Sequence, residues 1–279
     1  MTTHAVADDG TRLAFHLLDG PGEPLLCLPG GPMLDAAYFR DLGGLASHRA
    51  LALLDPRGTG GSDRADPATY RCDRQVPDVE AVRRHLGLDR LALLGHSAGA
   101  NLAYRYAERH PDRVERLLLV APSPRGLGVA VPDDARSAVA ASRSAEPWYA
   151  DAAAALARVQ AGSEDPADER AVAPFTHGRW DDETRAYDRW MDGRRIAEAW
   201  DFVAEGALDP DATRAALRAL DADVLVLAGS VDVGNPVVAM AEVAAAFPRG
   251  RLVVQEGAGH FSWVDDPEAF VALVAPFVS

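Results

Sequence analysis

Cysteine is nearly missing from this chain of 279 residues: there are two, Cys27 and Cys72. Neither has metal-ligand spacing, so two reduced thiols are expected and neither a disulfide framework nor a zinc site. Long hydrophobic runs are missing too. No stretch approaches the roughly 20 apolar residues that span a bilayer, and residues 1–10 carry neither the basic start nor the apolar core of a signal peptide. A cytoplasmic protein with no membrane partner is expected. Basic charge is in short supply: 28 basic residues, all arginine, face 42 acidic ones, for a net charge of −14. That balance opposes phosphate backbones and anionic surfaces, so no nucleic-acid partner is expected. The glycine-rich run at 55–62 lacks the Lys-Ser/Thr ending of a phosphate-binding P-loop and opens no helix at its last glycine. It reads as support for a neighbouring loop, with Asp55 and Arg57 in local hydrogen bonds. No internal repeat or low-complexity linker divides the chain.

Apolar residues make up 48% of the sequence, ample for a large core. Residues 3–7 and 12–18 flank Asp9-Gly10, which suits a hairpin turn. A uniformly apolar run at 24–28 reads as a strand covered on both faces, and mostly apolar runs at 49–54, 90–94, 114–121, 224–228 and 251–255 read as further strands. Helical spacing is expected over about 35–45, 75–86, 99–110, 236–247 and from 267 onward. The alternation predicts an α/β fold with a doubly wound, mostly parallel sheet. Between 122 and 220 the alternation lapses, leaving only helical patterns broken by prolines. That stretch is expected to be an inserted all-helical cap over the carboxyl ends of the strands, with residues 1–121 and 221–279 forming the core. Most of the cap's large aromatics should hold it together. Trp148, Trp180, Trp190 and Trp200 are the candidates for a substrate pocket, and periodicity does not choose among them.

The run ending at Leu94 breaks into Gly95-His96-Ser97-Ala98-Gly99, with a helical pattern behind it. A strand, a sharp turn and a helix would hold Ser97 at the tip of a strained turn, its hydroxyl pointing away from the sheet. A serine hydroxyl is a poor nucleophile at neutral pH and needs a base, and the base needs an orienting acid. Asp232 follows one buried strand and His260 the next, so both belong on the sheet edge that carries Ser97. Asp221 and Asp223 precede their strand and would lie at its wrong end. His96, inside the turn, suits packing or loop support better than base chemistry. His4, His16, His48 and His177 have no catalytic context, and His85 and His110 suit helix ends. Backbone N–H groups of Ala98 and of the loop after residues 24–28 would stabilise an oxyanion. Pro29 and Pro32 have no amide hydrogen, so Gly31 is the expected second donor, with Gly30 as the fallback.

With Pro29-Gly30-Gly31-Pro32, the loop 55–62, Gly95-His96-Ser97-Ala98-Gly99 and the settings of Asp232 and His260, the chain resembles an α/β-hydrolase of the proline iminopeptidase-like group. The resemblance covers the core and not the cap. It implies Ser97 as nucleophile, Asp232 and His260 as its partners, no metal or cofactor, and a cap that selects the substrate. The peptidases have His-Gly-Gly-Pro-Gly where this chain has Pro29-Gly30-Gly31-Pro32-Met33, and Gly-x-Ser-Trp-Gly-Gly where it has Gly95-His96-Ser97-Ala98-Gly99-Ala100. They also hold the substrate's amino terminus with cap carboxylates, a role open to Glu198 and Glu205 here. The expected function is a serine hydrolase cleaving an ester or amide of a small-to-medium apolar molecule or short peptide through an acyl-enzyme. A proline iminopeptidase, an acyltransferase or thioesterase, and a non-hydrolytic ligand-binding protein remain alternatives, because a shared fold does not fix the substrate.

Overall fold

The apolar runs form an eight-stranded sheet in the computed structural model, which describes residues 1–279. Its strands are β1 (Thr2–Val6), β2 (Arg12–Leu18), β3 (Leu25–Leu28), β4 (Leu51–Leu54), β5 (Leu91–His96), β6 (Val114–Val120), β7 (Asp223–Gly229) and β8 (Gly250–Gln255). Their order is β1-β2-β4-β3-β5-β6-β7-β8. The N-terminal hairpin pairs β1 with β2 antiparallel, β2 meets β4 antiparallel, and every later pairing is parallel. The doubly wound sheet follows from this order. β3 lies between β4 and β5, so the chain reverses its direction of travel across the sheet, and crevices at such reversals are where open α/β sheets take ligands.

Both faces of the central strands are covered, which is why those strands carry no polar alternation. Leu26, Leu28, Ala52, Leu54, Leu91 and Leu93 share one core with α1 (Val76–His85), α2 (Gly99–Arg109) and α8 (Val237–Ala245). Their neighbours Leu25, Cys27, Leu51, Leu53, Ala92 and Leu94 share the other core with α10 (Pro267–Val278). The two-residue period of a strand makes this division. Cys27 and Cys72 are buried free thiols in the two different cores, and burial pushes both thiols far above their usual range.

One local expectation is corrected. Residues 35–45 form no α-helix but two short 3₁₀ turns, Ala36–Phe39 and Leu45–Ser47. Arg40, Leu42, Gly43 and Gly44 all have positive φ, and a left-handed backbone cannot continue a right-handed helical ladder. A single turn, α9 (Ser262–Asp265), stands before the expected last helix.

Between β6 and β7 every regular element is helical: α3 (Asp133–Ala141), α4 (Tyr149–Gln160), α5 (Pro166–Ala171), α6 (Asp182–Asp192) and α7 (Pro210–Leu217), with short 3₁₀ turns. Asp181 and Thr184 cap α6 reciprocally, satisfying amides that the first turn leaves unpaired. The end of this stretch is no separate body, because Phe202, Leu217 and Leu220 pack into the same core as Leu102 of α2. No helix of the chain is long and apolar enough to cross a membrane.

The loop after β4 holds its neighbours as expected. The Asp55 carboxylate accepts from Ala36 N (2.8 Å) and Gly61 N (2.8 Å) and meets His16 Nε2 at 3.0 Å. Arg57 donates to both oxygens of Asp78 at 2.7 and 2.5 Å and to Asp9 at 2.8 Å. Arg57 and Asp78 are buried, 3% and 2% exposed. Burial raises the Asp78 carboxyl above its usual range even with the guanidinium against it. Arg57→Met is therefore expected to destabilise the fold by about 3 to 5 kcal/mol, the cost of stranding a buried charge. The urea midpoint would report it, and adding Asp78→Leu should recover part of the loss. An unchanged midpoint in Arg57→Met would contradict this account.

Candidate active site

Ser97 stands between the end of β5 and the start of α2, with φ of +50°. Its N–H donates to Val120 O at 3.1 Å, and its carbonyl accepts from Ala100 N (3.1 Å) and Ser123 N (2.9 Å). These bonds hold a conformation that L-residues disfavour. The flanking glycines are needed for space. A Cβ on Gly95 would lie 2.8 Å from Ala100 Cα, and one on Gly99 would lie 2.3 Å from Leu28 O.

Asp232, in the loop after β7, is 1% exposed. One carboxylate oxygen accepts from Gly234 N (2.9 Å) and Asn235 N (3.0 Å), and the other sits 2.7 Å from His260 Nδ1. Because an ionised carboxylate only accepts, the Nδ1 position carries the proton, and Nε2 of a neutral ring is left with its lone pair. The loop after β8 is fixed by its backbone as well: His260 N donates to Thr176 O at 2.8 Å. Arg143 donates to His177 O (2.8 Å) and Gly178 O (3.1 Å) on the same insertion segment. A Cβ on Gly178 would lie 2.0 Å from Gly257 O, so glycine permits this close docking.

The structure brings Ser97 and His260 to the walls of the same two cavities, of about 380 and 650 Å³, and places Asp232 at the second. No hydrogen bond joins Ser97 Oγ to the imidazole in this structure; such bonds are often loose in unliganded enzymes and tighten around the substrate. Gly31 lines both cavities and Ala98 the larger one. Neither of their amides has a partner within the protein, whereas Gly30 N donates to Tyr38 Oη at 2.8 Å. Gly30, the fallback donor, is thereby occupied. The N-terminus of α2 adds a partial positive charge beside Ser97.

The smaller cavity has buried apolar walls from Leu34, Met191 and Phe261, with exposed Glu169, Arg170, Asp192 and Arg195 farther out. The larger is lined by Asn101, Val129, Val131, Val203 and Trp200 among others. Of the four tryptophans, only Trp200 faces either cavity, and it is 59% exposed. The other three are placed elsewhere. Trp148 packs against Phe175 beneath Arg143, Trp180 lies against His177, and Trp190 is 41% exposed with Arg194 over its ring. Glu198 and Glu205 line neither cavity; Glu198 faces Arg64 at 3.8 Å.

Sequence reasoning passed over Tyr38, Thr176 and Asp188. Thr176 and Asp188 line the smaller cavity, Asp188 3.4 Å from the buried His177 Nε2. Only Tyr38 had a local signal, its place just beyond the Gly30-Gly31-Pro32 turn.

A profile of the alpha/beta hydrolase fold family matches residues 23–267. The chain is 25% identical to a proline iminopeptidase of Heyndrickxia coagulans, over 97% of this chain and 96% of the other. It is 29% identical to a 2-hydroxymuconate semialdehyde hydrolase of Pseudomonas sp. (strain CF600), over 97% and 91%. Among solved structures, an esterase from Rhodococcus sp. ECU1013 superposes with a TM-score of 0.74 at 26% identity, covering 99% of this chain and 98% of that one. With the sheet, the turn at Ser97 and these relatives together, the chain belongs to the α/β-hydrolase fold family and is a proline iminopeptidase-like hydrolase.

Proposed function

We propose that the protein is a serine hydrolase that cleaves an ester or amide through an acyl-enzyme, with Ser97 as nucleophile, His260 as base and Asp232 as the orienting acid. The observation that carries this reading is the 2.7 Å contact between Asp232 and His260 Nδ1, which leaves Nε2 as an acceptor beside the cavities shared with Ser97. Ser97 Oγ attacks the carbonyl carbon while its proton passes to His260 Nε2. The amides of Gly31 and Ala98 hold the oxyanion. His260 returns the proton to the leaving alcohol or amine as the scissile bond breaks, and water then frees the acid by the same route. This chemistry requires no metal or cofactor. Residues 122–220 act as the cap on a core of residues 1–121 and 221–279, supplying much of the lining of both cavities. Leu34, Met191 and Phe261 suit a compact apolar group, and the outer charged residues suit a polar end, so a small molecule with both is the preferred substrate class.

A proline iminopeptidase reading has one specific support, the carboxylates Glu169, Asp188 and Asp192 on the smaller cavity. Arg170 and Arg195 share that lining, and Asp188 already faces His177, which weakens the case for an ammonium site. Short-chain p-nitrophenyl esters are expected to be turned over at least tenfold faster, by kcat/KM, than aminoacyl arylamides, proline arylamide included. The reverse order would select the peptidase. Transfer of the acyl group to an added amine or alcohol would select an acyltransferase, and ligand binding without turnover a receptor.

A further inference from the structure

His96 precedes the nucleophile, is 2% exposed and uses both ring nitrogens. Its Nε2 lies 3.1 Å from the carbonyl oxygen of His260, and its Nδ1 lies 2.8 Å from Tyr38 Oη. A carbonyl can only accept, so Nε2 carries the hydrogen. In a neutral ring Nδ1 must then accept, and the only group offered to it is the Tyr38 hydroxyl, which therefore donates. The tyrosine oxygen in turn accepts from Gly30 N at 2.8 Å. The direction of every bond is thus fixed: Gly30 N–H to Tyr38 O, Tyr38 O–H to His96 Nδ1, and His96 Nε2–H to His260 C=O.

Each end of this chain touches a different part of the proposed machinery. Gly30 adjoins Gly31, whose amide is free; His96 adjoins Ser97; the carbonyl belongs to the base itself. The spacing is tight, since a Cβ on Gly30 would lie 2.8 Å from Ser97 Cβ and 2.9 Å from His96 O. The ring is boxed by Trp263 and Phe261, with centroids at 4.8 and 5.5 Å. Burial, and after it the proximity of His260, lowers the His96 pKa well below its usual value, while burial raises that of Tyr38. Both groups stay neutral, as the bond directions require. A protonated His96 would present a second donor to Tyr38 Oη and leave the phenol hydrogen without an acceptor.

We propose that Tyr38 and His96 are positioning residues that set the distance between the oxyanion donors and the base, through one oriented hydrogen-bond chain linking the loop after β3, the last residue of β5 and the loop after β8. The inference rests on the serine hydrolase reading but concerns residues that take no part in the bond changes: Tyr38 lines neither cavity, and His96, at the wall of the smaller one, has both ring nitrogens occupied within the protein. Loss of the chain would let the Gly30–Gly31 loop drift relative to Ser97, and displacements of the order of 1 Å cost about 100-fold in rate.

Tyr38→Phe is accordingly expected to lower kcat for a p-nitrophenyl ester by about 10- to 100-fold with KM changed less than threefold. Ring ¹⁵N spectra of the unmutated protein, with His96 assigned by its loss in His96→Gln, should show a neutral Nε2–H tautomer that does not titrate between pH 5 and 9. Full kcat in Tyr38→Phe would overturn the proposal, as would a His96 that titrates in that range or carries its hydrogen on Nδ1. If Tyr38→Phe fails to fold, the spectra can still overturn the proposal, and Tyr38→His, which keeps a donor toward His96, replaces it in the kcat and KM comparison. Ser97 labelling by a fluorophosphonate separates the two levels: if Ser97 is labelled and His96 has the wrong tautomer, only the positioning chain fails; if Ser97 is not labelled, the hydrolase reading fails, whatever the tautomer.

Discussion

Ser97→Ala is expected to lower kcat toward a p-nitrophenyl ester by about four to six orders of magnitude, the scale on which loss of a serine nucleophile acts. The substitution removes one oxygen that makes no hydrogen bond within the protein. Alanine would bear the same positive φ as serine, so the strain of the turn is unchanged and the melting temperature should stay within about 2 °C. Substrate should still bind, because the cavity walls and the amides of Gly31 and Ala98 are untouched. A residual rate above the background is expected from those donors and from binding alone. Pre-steady-state measurement adds a direct test: the unmutated protein should release a burst of p-nitrophenol equal to the enzyme concentration, and Ser97→Ala none. Retention of more than a tenth of the original kcat in Ser97→Ala would remove this serine from the chemistry.

Asp232→Asn is expected to lower kcat by about 10³- to 10⁴-fold at pH 7 with little loss of stability. Asparagine keeps an oxygen to accept from Gly234 N and Asn235 N, the bonds that shape the turn. Its amide then faces His260 Nδ1 as a donor, in place of the carboxylate oxygen at 2.7 Å. The imidazole can satisfy that donor only by moving its hydrogen to Nε2, and the lone pair that should take the Ser97 proton is gone. The imidazolium formed in the transition state also loses its counter-charge. Labelling of Ser97 by a fluorophosphonate should slow in step with kcat, since both need the same proton transfer. The double variant Ser97→Ala, Asp232→Asn should be no slower than Ser97→Ala alone, because residues that act as a unit are not additive. Undiminished labelling in Asp232→Asn would show that His260 does not depend on this carboxylate.

Where the determinants are local, they could be read along the chain. A strand covered on both faces must be apolar at every position, and residues 25–28, 51–54 and 91–94 are. A turn that brings backbone against backbone needs glycine, so Gly95 and Gly99 mark the bend around Ser97 before any coordinates are known. The strand ends that carry Asp232 and His260 follow from the same alternation. The stretch at 35–45 misled for a local reason of another kind. Residues 35–42 suit a helix, but Arg40 and Leu42 take left-handed backbone while Tyr38, Phe39 and Leu42 pack into the core, and Gly43-Gly44, a poor pair for a helix, follow with positive φ; propensity yields to such packing.

The sequence by itself determined the succession of strands along the chain, the sharp turn at Ser97, and which end of the sheet receives the loops of Asp232 and His260, because each depends on a few neighbouring residues and a fixed backbone period. Only the tertiary structure decided that Trp200 faces a cavity while Trp148, Trp180 and Trp190 do not, that Tyr38 occupies the Gly30 amide and leaves that of Gly31 free, and that His96 bridges Tyr38 to the base loop. The two bonds of His96 depend on how segments separated by 58 and 164 positions meet, and even Tyr38 and Gly30, 8 positions apart, are brought together by packing and not by a regular element. A side chain's direction in such a meeting is set by the packing of its partners, and no periodicity within its own segment encodes it.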